Sequence, residues 1–316
     1  MVPVLPFAYG AAELFVEDIG AVSASAHGDG DDGLWLGHAW VDGRHSASDV
    51  DSLVSRVREA GIRDVFVHVG PLTARGTLDP GLRPNARWLV AALHQRLPNL
   101  RVQAWLGGVA GAGGINLDNS ATRENIVTAA GQVLRDGFDG IHYDLEPVPD
   151  GDPGLLALLA QTGPVTAAAH AVLSIAADQI EPIPGLARPA QWVLGRSHFW
   201  STDYLRAIAS TVNMVAIMAY DSGVPIEAAY SGYIRVQTEL ALETVPSSVT
   251  LLIGLPAYHT DEPGHTDAET VAAAVRGVRL AVDGGIDRPF GVALYADFSA
   301  TPADWDAYQT GWVRPG

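Results

Sequence analysis

A regular succession of short apolar runs and amphipathic stretches is the sequence feature that most constrains the fold. Eight apolar runs of strand length occur in order, at Leu34–Val41, Val65–Val69, Val102–Leu106, Gly140–Leu145, Val172–Ala176, Met214–Ala219, Leu251–Leu255 and Val292–Tyr295. A stretch of helical character follows each run, at Ser48–Ala60, Ala86–Arg96, Thr122–Arg135, Gly154–Gln161, Thr202–Ser210, Tyr233–Glu243, Asp267–Val282 and Pro302–Gln309. Eight strand–helix units in series predict a (β/α)8 TIM barrel.

The predicted barrel occupies residues 34–316 as a single domain, after an irregular N-terminal segment at residues 1–33. An open, doubly wound parallel sheet is the alternative arrangement of the same elements. Such sheets usually carry a Gly-rich phosphate loop after the first strand, and none follows Leu34–Val41. The Gly-rich segment 107–114 follows the third strand instead, and we expect it to form a flexible loop at the mouth of the barrel.

Composition excludes several classes of function. The 316-residue chain has a net charge of −17, and its 19 basic residues are all Arg, because Lys is absent. This acidity disfavours binding to nucleic acids and to anionic membranes. The chain has no Cys, which excludes disulfides and thiol chemistry. No apolar run approaches the roughly 20 residues that span a bilayer. We also expect the protein to be a monomer.

The segment 137–147, GFDGIHYDLEP, is the strongest candidate for a functional site. Three polar residues alternate in it with apolar ones: His142, Asp144 and Glu146. Alternate residues of a strand lie on one face, so these side chains point the same way. Two close carboxylates raise the pKa of one of them, which keeps that carboxyl protonated near neutral pH. The segment predicts a catalytic acid with a helper; a carboxylate pair that faces solvent is the alternative.

Further polar and aromatic residues fall at the ends of predicted strands. Glu146 ends the fourth strand, Tyr220 and Asp221 end the sixth, and Tyr295 ends the eighth. Trp105 lies near the end of the third strand. Because active sites of β/α barrels lie at the carboxyl ends of the strands, we expect these residues to meet at one rim.

Four short motifs, which occur along the chain in the order expected for the family, resemble glycoside hydrolase family 18, the family of chitinases and endo-β-N-acetylglucosaminidases. The family's fourth strand reads Asp-Gly-x-Asp-x-Asp-x-Glu, and residues 139–146 read DGIHYDLE. Residues 218–221, MAYD, match its Met-x-Tyr-Asp motif, and residues 254–258, GLPAY, match its Gly-Leu-Pro-x-Tyr motif. Gly107-Gly108 matches the Gly-Gly pair of its third strand. The resemblance covers residues 34–300.

The resemblance implies a role for each matched residue. Glu146 would protonate the glycosidic oxygen, and Asp144 would orient the 2-acetamido group of the substrate. Tyr220 would hold the oxygen of this acetamido group. The substrate is then its own nucleophile and forms an oxazolinium ion. The predicted seventh strand contains no carboxylate that would serve as a protein nucleophile. Asp221 and Asp178 are the candidates if this mechanism does not transfer.

Two residues depart from the family pattern. His142 replaces the first Asp of the strand motif, and Tyr295 stands where the family has a Trp that floors the sugar subsite. His142 either donates a hydrogen bond or charge that lowers the pKa of Asp144, or is a neutral buried residue satisfied by its neighbours. Tyr295 stacks on a sugar with less area than Trp. The departures predict a divergent member that acts on a glycan other than chitin.

The resemblance therefore implies a retaining glycoside hydrolase that cleaves β-linked GlcNAc-containing glycans, with a non-catalytic glycan-binding or inhibitory barrel as the alternative. The expected partner is an oligosaccharide or polysaccharide, and no cofactor is expected. The expected substrate-binding residues are His142, Asp221, Trp105, Tyr295 and Tyr258. We expect a secreted or extracytoplasmic bacterial protein whose leader is absent from this chain.

We expect no metal site from the spacing of the ten His residues, which form no His-x-His or His-Glu-x-x-His pattern. The loop after the seventh strand contains four residues of ligand type, and we interpret it as a solvated loop. These residues are His259, Asp261, Glu262 and His265. Of the remaining candidates, His38 or His68 is expected to line the site, and Trp105 and Trp40 are expected to stack on sugars.

Overall fold

Eight parallel strands close into a barrel in the computed structural model, which describes residues 14–28, 30–182, 199–260 and 264–315. Each strand pairs with its neighbours in sequence order, and the last strand pairs with the first. An α-helix follows every barrel strand. The predicted (β/α)8 fold is therefore confirmed. Within the described ranges, no helix is both long enough and apolar enough to cross a membrane.

The eight strand–helix units have the following bounds. The barrel strands are β1 Asp32–Leu36, β2 Ile62–Pro71, β3 Arg101–Val109, β4 Gly140–Glu146, β5 Val172–Ala177, β6 Met214–Ile217, β7 Thr250–Pro256 and β8 Phe290–Tyr295. The helices are α1 Ala47–Ala60, α2 Ala86–Arg96, α3 Ser120–Arg135, α4 Pro153–Ala168, α5 Thr202–Ala209, α6 Glu227–Thr244, α7 Val271–Ala281 and α8 Pro302–Tyr308. A separate parallel pair joins Gln179–Ile180 to Phe199–Trp200.

β1 is shorter than predicted, because the chain turns out of the barrel at Gly37 and forms a short 3-10 helix. The carboxylate of Asp297, which follows β8, holds this turn. It accepts hydrogen bonds from the backbone N–H of Gly37 (2.8 Å) and from the indole N–H of Trp40 (2.6 Å). Trp40 is thereby fixed in the protein core and is not free to stack on a sugar.

The Gly-rich segment 107–114 is only partly a loop. Gly107 and Gly108 belong to β3, which continues to Val109 and pairs with β4. A Cβ atom at position 108 would lie 2.5 Å from Cδ1 of Ile115, so a larger residue there would require the Ile115 side chain to shift. The prediction of a flexible loop is therefore wrong for the first residues of this segment, whose backbone is held in the sheet.

The described part of the N-terminal segment packs against the barrel. Arg276 of α7 binds the side chain of Asp18 (2.8 Å), and Arg279 donates to the carbonyl of Ala26 (2.7 Å). β1 begins at Asp32, just before the predicted domain boundary at residue 34. The first 13 residues of the predicted irregular segment, and residue 29, lie outside the described residues.

A buried carboxylate ties the C-terminal residues to the amino-terminal end of the barrel strands. Asp32 accepts hydrogen bonds from the Tyr308 hydroxyl (2.6 Å), the Trp312 indole N–H (3.0 Å) and the Val292 backbone N–H (2.8 Å). Burial raises the pKa of Asp32 to about 6, although these hydrogen bonds oppose the shift. The buried Trp312 indole N–H and Val292 N–H depend on this one side chain, whereas the Tyr308 hydroxyl has a second acceptor in the Ala60 carbonyl, at 3.1 Å.

We predict that Asp32→Ala lowers the free energy of unfolding by about 2 kcal/mol or more, because it leaves two buried donors, the Trp312 indole N–H and the Val292 N–H, without an acceptor. Urea unfolding followed by circular dichroism measures this change. Asp31→Ala is the matched control, because its partner Arg63 is half exposed and such surface pairs contribute less than about 1 kcal/mol. Equal losses of unfolding free energy in the two variants would contradict this role of Asp32.

Candidate active site

A cavity of about 320 Å³ opens at the carboxyl ends of the barrel strands. Four of the five residues predicted to meet at this rim line it together, namely Glu146, Tyr220, Asp221 and Tyr295, and Asp144 lines it with them. Trp105, the fifth, does not line this cavity. Tyr258 lines the same cavity. The strands that carry these residues are far apart in the chain, and closure of the barrel brings their ends together.

Strand alternation places the polar residues of β4 as the sequence predicts. Asp144 and Glu146 point into the cavity, and His142 lies below them inside the barrel, where it stacks on Phe66. Tyr143 points outward, and its hydroxyl lies 2.9 Å from the Thr162 hydroxyl on α4. The inner face of β4 therefore serves the cavity, and its outer face packs against the surrounding helices.

One carboxylate oxygen of Asp144 accepts a hydrogen bond from a neighbouring side chain, whereas the other is buried without a donor in the described part of the chain. The indole N–H of Trp105 donates to Asp144 Oδ2 at 2.8 Å. Asp144 Oδ1 is buried, and it has no donor among the described residues when Glu146 is ionised. Burial raises the pKa of Asp144, and a hydrogen bond from a protonated Glu146 opposes this shift. Burial and the charge of Asp144 in turn raise the pKa of Glu146. The geometry therefore favours one shared proton between Asp144 and Glu146.

The surroundings of Glu146 favour its protonated form. The side chain is exposed to the open cavity, but the protein encloses it on the other sides. This loss of solvation, together with the negative charge of Asp144, raises the pKa of Glu146 well above its usual range. Burial also raises the pKa of Asp144, against the hydrogen bonds from Glu146 and Trp105. The surroundings of Glu146 therefore favour its protonated form, which is the form that a general acid needs.

A third carboxyl group adds to this effect. Asp178 directly follows β5 and is buried, and no hydrogen bond to its carboxylate occurs within the described part of the chain. Burial and the charge of Asp144 raise the pKa of Asp178 to about 7. When ionised, Asp178 in turn raises the pKa of Glu146. From the sequence, Asp178 is only an alternative candidate for the nucleophile, because strand alternation does not predict the orientation of a residue beyond the strand end.

Three tyrosines form an aromatic wall of the cavity. Tyr220 and Tyr295 stack with their ring centroids 5.3 Å apart and their planes 22° from parallel. Tyr258 packs edge-on against both rings, at 5.7 Å and 5.6 Å. Its hydroxyl donates to Asp221 Oδ1. The Tyr220 hydroxyl makes no hydrogen bond within the described residues, so it is available to a ligand.

His142 lies in a directed chain of hydrogen bonds across the barrel. The indole N–H of Trp35 is only a donor, so His142 Nε2, 3.2 Å away, accepts from it and the ring proton is on Nδ1. Nδ1–H then donates to the Ser174 hydroxyl (2.8 Å), which donates to Gln103 Oε1 (2.7 Å). The Gln103 amide donates to Asp64 (2.7 Å). Every link points toward this buried carboxylate.

This series of hydrogen bonds decides whether His142 gives charge to Asp144 or is a neutral buried residue. A protonated ring would place an N–H against the Trp35 N–H, and burial lowers the pKa of His142 to about 3. His142 is therefore neutral, satisfied by its neighbours, and gives no charge to Asp144. We also correct its assignment as a substrate-binding residue, because its side chain has no exposed surface and does not line the cavity.

Trp105 has a different position from the one expected of a sugar platform. Its side chain is almost fully buried, and its indole N–H binds Asp144. Its ring packs edge-on against His68, at 4.8 Å. Besides the expected site residues, the cavity is lined by Trp35, Ala176, Met218, Thr260, Phe298 and Ser299. Phe298 is largely exposed at the edge of the cavity.

A second cavity, of about 470 Å³, adjoins the first and shares Asp144 and Glu146 with it. It is lined by His68, which fulfils the expectation that one of the two early histidines reaches the site, and by Trp105 and the Gly pair of β3. Since both cavities meet at Glu146, a chain-like ligand that fills them would place a linkage beside this carboxyl.

Comparison with known proteins supports the fold. No protein-family model and no curated protein sequence matches the chain. Among solved structures, a chitinase from Chromobacterium violaceum ATCC 12472 matches with a TM-score of 0.60 and 17% identity, over 89% of this chain and 98% of that one. The spore cortex-lytic enzyme SleL from Bacillus megaterium QM B1551 matches with a TM-score of 0.60 and 13% identity, over 89% and 74%.

A family 18 chitinase, ChiB from the chitin utilization locus of Flavobacterium johnsoniae, matches with a TM-score of 0.54 and 12% identity, over 93% of this chain and 100% of that one. Identities this low establish the fold alone. The chain thus has the barrel fold of chitinases, and the resemblance predicted from its motifs is confirmed at the level of the fold.

We predict that Asp178→Asn moves the alkaline limb of any Glu146-dependent activity to lower pH. Removing the negative charge of Asp178 lowers the pKa of Glu146, so Glu146 loses its proton at a lower pH. The pH dependence of kcat/KM measures this shift. Asp203→Asn is the control, because Asp203 is fully solvated on α5 and should leave the profile unchanged. An unmoved alkaline limb in Asp178→Asn would refute the coupling.

Proposed function

We propose that this protein is a divergent member of glycoside hydrolase family 18 that cleaves β-linked GlcNAc-containing glycans with retention of configuration. One observation carries the proposal: Asp144 and Glu146 lie at the mouth of the barrel in an environment that favours one shared proton. The chitinase-like fold and the motifs of β4, β6 and β7 add support.

In the proposed first step, Glu146 gives its proton to the glycosidic oxygen as the bond to C1 breaks. The carbonyl oxygen of the 2-acetamido group attacks C1 from the opposite face and forms the oxazolinium ion. Asp144 then stabilises the positive charge on that group, and the Tyr220 hydroxyl, which has no described protein partner, donates to its oxygen. A water molecule, deprotonated by Glu146, opens the ring at C1, and the β configuration returns.

The arrangement of carboxyl groups favours this route over a protein nucleophile. A retaining enzyme with its own nucleophile carries a second carboxylate about 5 Å from the acid and across the substrate. The strand β7, Thr250–Pro256, contains no acidic residue. Asp221 accepts a hydrogen bond from Tyr258, and Asp178 is buried beyond β5. Asp144 is occupied by Trp105 and by Glu146 itself.

Electrostatics restrict the proposed substrate. Among the described residues that line the two cavities meeting at Glu146, three carry carboxyl groups and none is Arg. An anionic sugar would meet like charges and no Arg among these described residues, which costs free energy. We therefore propose an uncharged GlcNAc-containing glycan. A glycan rich in carboxylate or sulfate groups would be disfavoured.

We predict that Glu146→Gln reduces hydrolysis by roughly 10²–10⁴-fold while leaving folding intact, because it removes the acid and preserves the shape of the side chain. The experiment screens chitin oligomers, N-glycans and peptidoglycan fragments for cleavage by the wild type and by this variant. Glu59→Gln, on the exposed face of α1, is the control for the same chemical change.

Cleavage within a few fold of the wild-type rate in Glu146→Gln would remove Glu146 from the mechanism. Binding of a glycan by the wild type without any cleavage would instead indicate the alternative function, a non-catalytic glycan-binding barrel. Circular dichroism and thermal unfolding of both variants would separate a chemical effect from loss of structure.

A further inference from the structure

Three side chains of metal-ligand type lie together beside the cavity, and we propose that they bind a divalent transition-metal ion, with Zn²⁺ as the best fit. Asp221 follows β6, whereas His265 and Glu269 lie between β7 and α7. Asp221 Oδ1, His265 Nδ1 and Glu269 Oε2 lie within 4.8 Å of one another. The proposal is independent of the glycosidase function.

Glu269 is a buried carboxylate with one oxygen left for an ion. Its Oε1 accepts three hydrogen bonds, from the Ser222 backbone N–H (2.9 Å), the Ser222 hydroxyl (2.8 Å) and the Gly223 backbone N–H (3.1 Å). Its Oε2 accepts only one, from the Asp221 backbone N–H (2.6 Å). These contacts fix Glu269 rigidly, and the less occupied oxygen is the one that faces His265.

His265 supplies the observation that points to a ligand. Its side chain is only 4% exposed, and Nδ1 is buried without a hydrogen-bond partner among the described residues. This nitrogen is aimed at Asp221 Oδ1 and Glu269 Oε2, at 3.5 Å from each. Packing against the Tyr258 ring, at 4.6 Å, holds the imidazole in this orientation. A buried imidazole nitrogen without a partner is costly unless a ligand satisfies it.

The two spacings from His265 Nδ1 fit a tetrahedral ion better than direct contact between the side chains. Ligands at about 2.1 Å from a tetrahedral Zn²⁺ are separated by about 3.4 Å. The two distances of 3.5 Å from His265 Nδ1 match this edge and are too long for strong hydrogen bonds. A site with one imidazole and two carboxylates suits Zn²⁺ better than Mg²⁺ or Ca²⁺, which prefer oxygen ligands alone.

The proposed ion would join the turn after β6 to the segment before α7. Asp221 has a φ of 56°, in the left-handed region, and the N–H groups that follow it converge on Glu269. Because Asp221 and Tyr258 line the active-site cavity, the ion would fix one wall of that cavity. The sequence analysis expected no metal here, since these ligands come from two separate loops. Two residues it considered, Asp261 and Glu262, lie outside the described residues.

The test uses full-length, tag-free protein that is stripped with a chelator, loaded with Zn²⁺ and dialysed. We expect inductively coupled plasma mass spectrometry to find about one Zn²⁺ per chain. The melting temperature of the protein should be higher with Zn²⁺ than without it. His265→Ala should lose the bound Zn²⁺, with an affinity reduced more than the roughly 100-fold typical of outer-shell changes. Asp221→Asn, which keeps the side-chain volume, is a second variant that should also bind less Zn²⁺.

His259→Ala is the matched control, because His259 lies in the same loop but pairs with Asp304 at 3.0 Å. It should retain the metal. Absence of stoichiometric Zn²⁺ in the loaded wild type, or equal retention by His265→Ala, would overturn the proposal. Loss of Zn²⁺ in His259→Ala alone would also overturn it. None of these readouts depends on glycan cleavage, so the result is separate from that of the proposed function.

Discussion

Two carboxyl groups on one face of a single strand form the constraint on which the rest of the site depends. Asp144 has one oxygen bound by Trp105 and a second, buried oxygen that needs a donor. In this enclosed position the two groups are not ionised together without a large cost, so a proton remains on Glu146. The barrel then brings Tyr220 and Tyr295 to the same cavity from other strands.

The replacement of a motif Asp by His142 changes what lies beneath this pair. The Trp35–His142–Ser174–Gln103 chain ends on Asp64, which Arg101 also binds at 2.5 Å. All donors point one way, so the chain leaves no proton for Asp144. Glu146 is therefore the described residue with which Asp144 can share a proton. The interaction between Glu146 and Asp144 is therefore confined to the mouth of the barrel, and the His142 ring beneath them is neutral.

The sequence predicted what depends on local periodicity, and missed what depends on distant partners. Strand alternation and the rim rule correctly grouped Asp144, Glu146 and Tyr220 around one cavity. The end of β1 was predicted too late, because the carboxylate that turns the chain there is Asp297, after β8. The state of His142 was left open for the same reason, since its hydrogen-bond partners belong to other strands. The grouping of His265 with Asp221 and Glu269 likewise appears only in three dimensions.

The most direct test of the central claim is to compare hydrolysis of two matched β-glycosides that differ only at C2, with an acetamido group or a hydroxyl group. If the substrate supplies the nucleophile, the acetamido compound should be cleaved at least about 100-fold faster, because only it has an attacking group held next to C1. A thiazoline analogue of GlcNAc should then also inhibit. Equal rates on both compounds, without inhibition, would contradict the account and direct attention to Asp178 and Asp221.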